Sequence, residues 1–388
     1  MKKVYWRPRA VSRTALLLIA LISVAGLLIV EYRRISVQRP YFEEKHEASQ
    51  LAARCMEAIK DERLRLGVYI DPEIDPAGTG LIGAAMTSAT SVSGFLPAKQ
   101  TSVNPNFAAV IVEMLKDAGV EEGDTVAVGY SGSFPALNVC VAAAIETLHL
   151  KPIAISSAAA SQWGANLPDL LWLDMERVLL DHKLISFRSV AASMGGVEDR
   201  GLGMVEETRA TLEKGIQRAR LPLLAGDSFK DSVDKRMKLF TQKASGERIA
   251  AYINVGGGTT SVGKSLGKRL MRSGLNKTLP RRARSIDSVM TRFLAQRVPV
   301  IHLVRIKDIA TRYGLPVRTG LPDEEYQMPS VGTGQVFFRQ EYNTWIASAV
   351  LVVILLCLYG FIRSDWGFRF FQFTAAQRKT SGHPEPMV

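Results

Sequence analysis

Cysteine and histidine are scarce in this chain. Three cysteines and five histidines in 388 residues leave little material for a disulfide framework. No Cys/His spacing of the zinc-binding kind is present. Cys357 falls in an apolar run, while Cys55 and Cys140 fall on expected helices, and the latter two read as buried free thiols. No paired carboxylates stand out as glycoside hydrolysis would need. Internal repeats and low-complexity tracts are also missing. No metal and no cofactor are expected. A strong charge of one sign is lacking where it would matter. Of the formal +12, residues 1–39 hold +7 (eight basic, one acidic) and residues 343–388 hold +2 (four basic, two acidic), which leaves +3 for the middle. A basic balance confined to the ends argues against a nucleic-acid binder.

Long hydrophobic runs occur only at those ends. Ala15–Val30 is an unbroken apolar run of 16 residues and Trp345–Ile362 one of 18. With flanking residues, each approaches the roughly 20 that a spanning helix needs. A cleaved signal peptide is the alternative for the first run, but no small-x-small site precedes Glu31-Tyr32-Arg33-Arg34. Lys and Arg near the two runs number nine on the terminal sides and five on the inner sides. The positive-inside rule then predicts both termini in the cytoplasm. The expected order is a cytoplasmic N-terminus (1–13), a span (14–32), a membrane-proximal helical stalk (33–70), an extracytoplasmic α/β domain (71–343), a second span (344–362) and a cytoplasmic tail (363–388), disordered from Thr374 on.

Between the spans, apolar periodicity predicts alternating strands and helices. Glu43–Leu66 reads as an amphipathic helix. Asp71–Pro105 has neither helical nor strand period and is rich in Gly, Pro, Ser and Thr, so it reads as a structured loop lining a site. Helices are expected over 106–118, 135–148, 171–180, 206–219, 228–243, 286–296 and 307–313. Strands are expected at 125–128, 153–156, 249–255 and 300–304, with a further one over 184–190. This alternation predicts an α/β fold, a mostly parallel sheet with flanking helices between two terminal transmembrane helices. Ligand sites in open α/β sheets lie at the carboxyl ends of strands. The small-residue loops after the strands therefore supply the candidate pocket: Ser131, Ser133, Asn138, Ser157, Trp163, Asn166, Asp174, Gly257, Thr259 and Thr260.

The central stretch is Asp124–Asn138, where a buried strand runs into Gly129-Tyr130-Ser131-Gly132-Ser133 and Pro135 opens a helix. It resembles a nucleophile elbow but lacks the final Gly of G-x-S-x-G. A serine nucleophile needs a base. His46 lies near the membrane, His383 in the tail, and His149 at the far end of the following helix. Ser131 or Ser133 would therefore act with His182 or His302, and with Asp174 or Asp181 as orienting acid. Two other readings stand beside this one. The turn needs small residues for packing, or its free N–H groups accept a carboxylate or another anion. Asn254-Val255-Gly256-Gly257-Gly258-Thr259-Thr260 resembles the phosphate loop of the actin and Hsp70 ATPase superfamily, with Asn254 where that superfamily has an acidic residue. Lys264–Arg284 has eight basic residues and no acidic one. Lys264, Lys268, Arg269, Arg272, Arg281 and Arg282 are its candidate polyanion track, and a solvated face or lipid contact is the alternative.

Longer motifs carry a broader resemblance. Gly78-Thr79-Gly80-Leu81-Ile82-Gly83, Ala98–Pro105, Ser131–Asn138, Ala160–Asn166 and Trp172–Glu176 together resemble the poly-gamma-glutamate system protein family. The resemblance covers most of the middle domain. It implies a role in making, exporting or anchoring a γ-linked glutamate polymer, with the plasma membrane, the synthase and export proteins and the anionic polymer as partners. It carries no established reaction. The leading expectation is a non-catalytic accessory that binds or guides the polymer. The alternatives are a serine-dependent amidohydrolase or transpeptidase, and a purely structural scaffold.

Overall fold

The computed structural model describes residues 13–319 and 329–363. It divides into two compact units, one of Arg39–Phe337 and one of the chain ends, up to Gln38 and from Phe338.

In the unit of the chain ends, α1 (Arg13–Tyr32) leads into β1 (Ile35–Gln38), and β12 (Phe338–Glu341) leads into α13 (Thr344–Arg363). β1 and β12 pair antiparallel, Ile35 opposite Glu341 and Gln38 opposite Phe338. The two helices pack on each other and leave leucines such as Leu17, Leu27 and Leu356 more than half exposed. The Arg34 guanidinium lies 4.7 Å from the centroid of the Tyr342 ring and also pairs with Glu31. The expected spans fall on these helices. Among the described residues, no helix is long and apolar enough to cross a membrane; the side chains of 13–15 and 361–363 lie outside that description. The expected cytoplasmic ends lie almost wholly outside the described residues.

The larger unit is a mixed α/β structure built on a six-stranded, mostly parallel sheet. Its strands are β3 (Thr125–Ser131), β4 (Lys151–Ser157), β8 (Ala191–Ser193), β9 (Ile249–Val255), β10 (Gly274–Asn276) and β11 (Val300–Leu303). Their order is β10-β11-β9-β3-β4-β8, and only the β10–β11 pairing is antiparallel. The runs Thr125–Tyr130 and Val300–Leu303 are buried throughout, as expected for strands covered on both faces.

On one face lie α2 (Phe42–Arg65), α4 (Phe107–Ala118) and α5 (Pro135–Thr147), packed on one another. On the other lie α8 (Phe229–Ala244) and α11 (Val289–Ala295). Their Phe240 and Phe293 meet Tyr252 of β9 at centroid distances of 5.8 and 4.9 Å, in a core with Ala127, Ile153 and Ile155. The remaining elements are shorter or peripheral. They are β2 (Thr90–Val92), α3 (Leu96–Ser102), β5 (Ala160–Ser161), β6 (Asn166–Leu167), β7 (Leu170–Leu171), α6 (Trp172–Asp181), α7 (Glu206–Arg218), α9 (Thr259–Val262), α10 (Lys264–Leu270), a 3-10 turn (Arg281–Ala283) and α12 (Ile306–Arg312).

Three expectations need correction. α2 belongs to the sheet-bearing unit instead of forming a stalk, because Ala48, Ala52, Cys55 and Ile59 on its apolar stripe are fully buried. The segment 71–105 is not all loop. Pro97 sits in the first turn of α3, where its missing N–H costs little, and β2 pairs in parallel with β5. The sixth strand is Ala191–Ser193, not 184–190. In the latter stretch Ser186 and Ser189 give their N–H and hydroxyl groups to Glu146 and Glu176, so those amides are taken from any strand ladder.

The N-terminus of α2 is tied to α4 by a buried charge. Lys45 is 1% exposed; its Nζ donates to Glu113 at 2.6 Å and to the Val336 carbonyl at 3.0 Å. Arg39 donates to the other Glu113 oxygen at 2.9 Å. Removing one member of such a pair leaves an uncompensated charge in the interior. Glu113→Ala is therefore expected to lower unfolding stability by about 3 kcal/mol or more, and Lys45→Met with Glu113→Leu to recover most of it. Urea denaturation of the variants measures both.

Candidate functional site

The parallel strands follow the doubly wound order. From β3 the chain steps outward through β4 to β8, then returns to the other side of β3 for β9 and β11. The reversal falls between β3 and β9, and the crevice over the carboxyl ends of those strands is where this architecture places ligands. Two glycines keep the crevice open. A Cβ on Gly129 would stand 2.5 Å from the Tyr252 hydroxyl oxygen. Gly256, at φ +80, lies in the left-handed region against Ser131, whose Cβ and Oγ are both 3.3 Å from where a Cβ would be.

A cavity of about 500 Å³ opens there. Ser131 and Ser133 come from the end of β3 and the turn after it, Ser157 from the end of β4, and Ser161 from β5. Gly257, Gly258 and Thr259 form the β9 side, Lys268 reaches in from α10, and Lys99 comes from α3. A smaller space of about 40 Å³ adjoins it, shares Ser131, Ser157 and Thr259, and carries the buried Asp199–Arg236 pair. That pair, closed through Ser193 by hydrogen bonds of 2.7 Å, anchors the 195–201 segment that supplies Gly196 and Val197 to the cavity wall.

Lys99 sets the electrostatics of the cavity. It is 3% exposed, and its Nζ meets the Ser161 Oγ at 2.8 Å, the Ser133 carbonyl oxygen, and the Phe134 ring at 3.9 Å from its centroid. The Ser161 N–H in turn donates to the Ser133 Oγ at 3.1 Å, and the Ser133 N–H to the Ser131 Oγ at 3.2 Å. Among the described residues no carboxylate meets the amine, and burial pushes its pKa down to about 7.

The structure brings six of the expected pocket and track residues to this cavity: Ser131, Ser133, Ser157, Gly257, Thr259 and Lys268. Thr260 lines the smaller space. The others have structural positions. Asn138 is fully buried and donates to the Ser131 carbonyl at 2.9 Å, fixing the turn from behind. Asn166 clamps Ala84 through both its N–H and its carbonyl, at 3.0 and 2.8 Å, and donates to Thr90. The Trp163 N–H donates to the Ala84 carbonyl, and its side chain is not part of the cavity wall. Asp174 accepts two bonds from Arg218 and one from the Leu171 N–H at the start of α6.

Neither candidate base reaches the serines. His182 is exposed just past the end of α6. His302 is 1% exposed in β11, with its Nδ1 3.0 Å from the Asn254 Nδ2. Burial, aided by Arg305, lowers its pKa to about 4, so it is neutral at pH 7 and accepts from Asn254. Asn254 also donates to the Gly256 carbonyl at 2.8 Å, which makes it a brace for the glycine loop. Lys264, Arg269, Arg272, Arg281 and Arg282 are exposed outside the cavity, with Lys264 paired to Glu198 at 3.1 Å. Among the described residues, no cluster of three or more His, Cys, Asp or Glu side chains could hold a metal ion.

Lys99 and Ser161 are the functional candidates that residue-type reasoning passed over. The signal was present, since Lys99 is the sole charged residue between Asp75 and Glu113. A lone cation in so long an uncharged stretch is set apart from the usual solvated lysine. Protein-family models, curated proteins and solved structures all lack a match to this chain, so the site stands on its geometry.

Lys99 also makes stability depend on pH. Between about 7 and 10.5 the unfolded chain holds a proton on this amine that the folded chain has released. Unfolding free energy therefore rises with pH across that window, by at most about 1.4 kcal/mol per pH unit. Lys99→Met is expected to remove this contribution, as read from chemical denaturation at a series of pH values.

Proposed function

We propose that the cavity at the switch point binds a carboxylate-bearing ligand, and that the ligand is a γ-linked glutamate polymer. The observation that carries the binding reading is the make-up of the wall. Among the described residues, Lys99, Lys268 and six serines (Ser91, Ser93, Ser131, Ser133, Ser157 and Ser161) line the cavity, with no Asp or Glu. A carboxylate entering it meets donors and a cation whose charge no acidic residue of the described wall offsets. Such charge-assisted bonds are among the stronger polar contacts. The polymer as ligand is supported by the motif resemblance. Ala98–Pro105, Ser131–Asn138 and Ala160–Asn166 are the stretches that supply Lys99, Ser131, Ser133 and Ser161.

On this reading the protein is an accessory of polymer synthesis or export. Its terminal helices anchor it in the plasma membrane with both ends cytoplasmic and the α/β unit outside. The apolar runs and the Lys/Arg asymmetry support the anchoring. The exposed basic residues around α10 give a long polyanion further points of contact beyond the cavity.

The full-length chain in detergent is expected to bind poly-γ-glutamate with an affinity that falls as salt rises. Lys99→Met and Lys268→Met are each expected to weaken binding about tenfold or more. Wild-type affinity is expected to drop as pH climbs above about 7, because the neutral amine no longer attracts the anion, and Lys99→Met to flatten that profile. Isothermal titration calorimetry at two salt concentrations and a pH series measures all three. Binding indifferent to salt and to both substitutions would sink the reading.

A further inference from the structure

We propose that Ser161 and Lys99 form a nucleophile–base pair that cleaves amide bonds in a carboxylate-bearing substrate through an ester on the Ser161 Oγ. The substrate class rests on the binding reading above; the pair itself does not.

A serine nucleophile is recognised by a base within hydrogen-bond reach and by groups that hold both partners in place. Lys99 Nζ lies 2.8 Å from Ser161 Oγ, whereas neither His182 nor His302 lines the cavity. Both partners are fixed. Ser161 sits in β5, paired with β2, and Ser91 Oγ donates to the neighbouring Ala160 carbonyl at 2.8 Å. Its N–H is held by Ser133 Oγ at 3.1 Å, and its carbonyl accepts from the Gly164 N–H at 2.9 Å. Lys99 is held by the Ser133 carbonyl and the Phe134 face. Burial, with no carboxylate partner among the described residues, leaves a large share of the amine unprotonated near neutral pH, the state a base requires. Among the described residues, Lys268 is the other charged residue of the wall, and Lys307 of α12 lies 5.7 Å from the centroid of the Phe95 ring.

The step balances with water or an amine as the second reactant. Neutral Lys99 takes the Ser161 hydroxyl proton as Oγ bonds to the amide carbonyl carbon. The C–N bond breaks, and the departing amine leaves with the proton from the Lys99 ammonium. Water then attacks the ester carbon and gives its proton to Lys99, which releases the acid and restores the Ser161 hydroxyl. An acceptor amine in place of water gives transfer instead of hydrolysis. Ser133 Oγ accepts from the Ser161 N–H and keeps its own hydrogen to donate to the developing oxyanion.

The test uses the full-length chain and a fluorophosphonate probe, which reports an activated serine without any polymer. The expected result is one adduct, mapped by peptide mass spectrometry to Ser161. Its rate should rise with pH and level off above about 7. Ser161→Ala and Lys99→Met should each lower labelling at least a hundredfold while keeping the wild-type circular dichroism spectrum. Lys99→Arg, which keeps the charge and loses the titration, should be equally inactive. No adduct on folded protein, an adduct on Ser131 or Ser133 instead, or labelling that survives Lys99→Met would overturn the pair. Chain length of poly-γ-glutamate incubated with the protein then tests the substrate. Shortening that Ser161→Ala abolishes supports it, and full-length polymer beside a labelled Ser161 overturns it. Salt-sensitive binding by Ser161→Ala is scored separately, so failure of the binding reading and failure of the pair remain distinct.

Discussion

The arrangement depends on β3 lying between β4 and β9 in parallel register. Gly129 stands opposite Ile155 on one side and Asn254 on the other, and Ser131 opposite Ser157. That register brings three strand ends to one level. The serines of β3 and β4 and the glycine loop after β9 therefore open on a common crevice. It holds because Gly129 has no side chain to strike Tyr252, whose ring stacks in the aromatic core beneath. A larger residue at 129 would push β3 from β9 and separate the walls of the cavity. Architecture and site thus share one packing constraint.

Electrostatics follows from where α3 sits. Lys99 is carried into the crevice by a seven-residue helix inside a segment that is otherwise uncharged. Burying an amine without a carboxylate is unfavourable for its charged form, and the fold answers with a carbonyl, a hydroxyl and an aromatic face. The result is an amine near the midpoint of its titration at physiological pH, beside hydroxyls and open to the cavity. A structural lysine is more often neutralised, as Lys45 is by Glu113. The two buried lysines differ in their described partners, a carboxylate for Lys45 and a carbonyl, a hydroxyl and an aromatic ring for Lys99.

Much of the fold was legible in the chain. Thr125–Val128, Ile249–Val255 and Val300–Val304 read as buried strands because both faces of a parallel sheet select continuous apolar runs. The helices read over 106–118 and 228–243, observed as Phe107–Ala118 and Phe229–Ala244, announced themselves by 3.6-residue periodicity and by caps or glycines at their ends. The site was legible only in part. Ser131, Ser133, Ser157 and Thr259 follow from strand ends, a local rule. Asn138, Asn166 and Asp174 share the polar chemistry of pocket residues, yet each spends its bonds on backbone groups or an arginine, which composition cannot reveal. The basic stretch from Lys264 was visible, but only the helix that carries Lys268 aims one of its cations into the crevice.

By itself, the amino-acid sequence determined the alternation of elements, the parallel character of the sheet and the strand ends at which a ligand would sit. These properties are set by neighbours a few residues apart. Tertiary structure alone decided which residues meet there. Lys99 and Ser161 are 62 positions apart, and Tyr252 answers Gly129 across the sheet. Such pairings depend on strand order and on the path of 71–105 over the crevice, neither of which a local pattern encodes. For the same reason the titratable side chain that meets a serine in the crevice is Lys99, and neither His182 nor His302 lines it. Proximity in space, set by the reversal of strand order at β3, selected it.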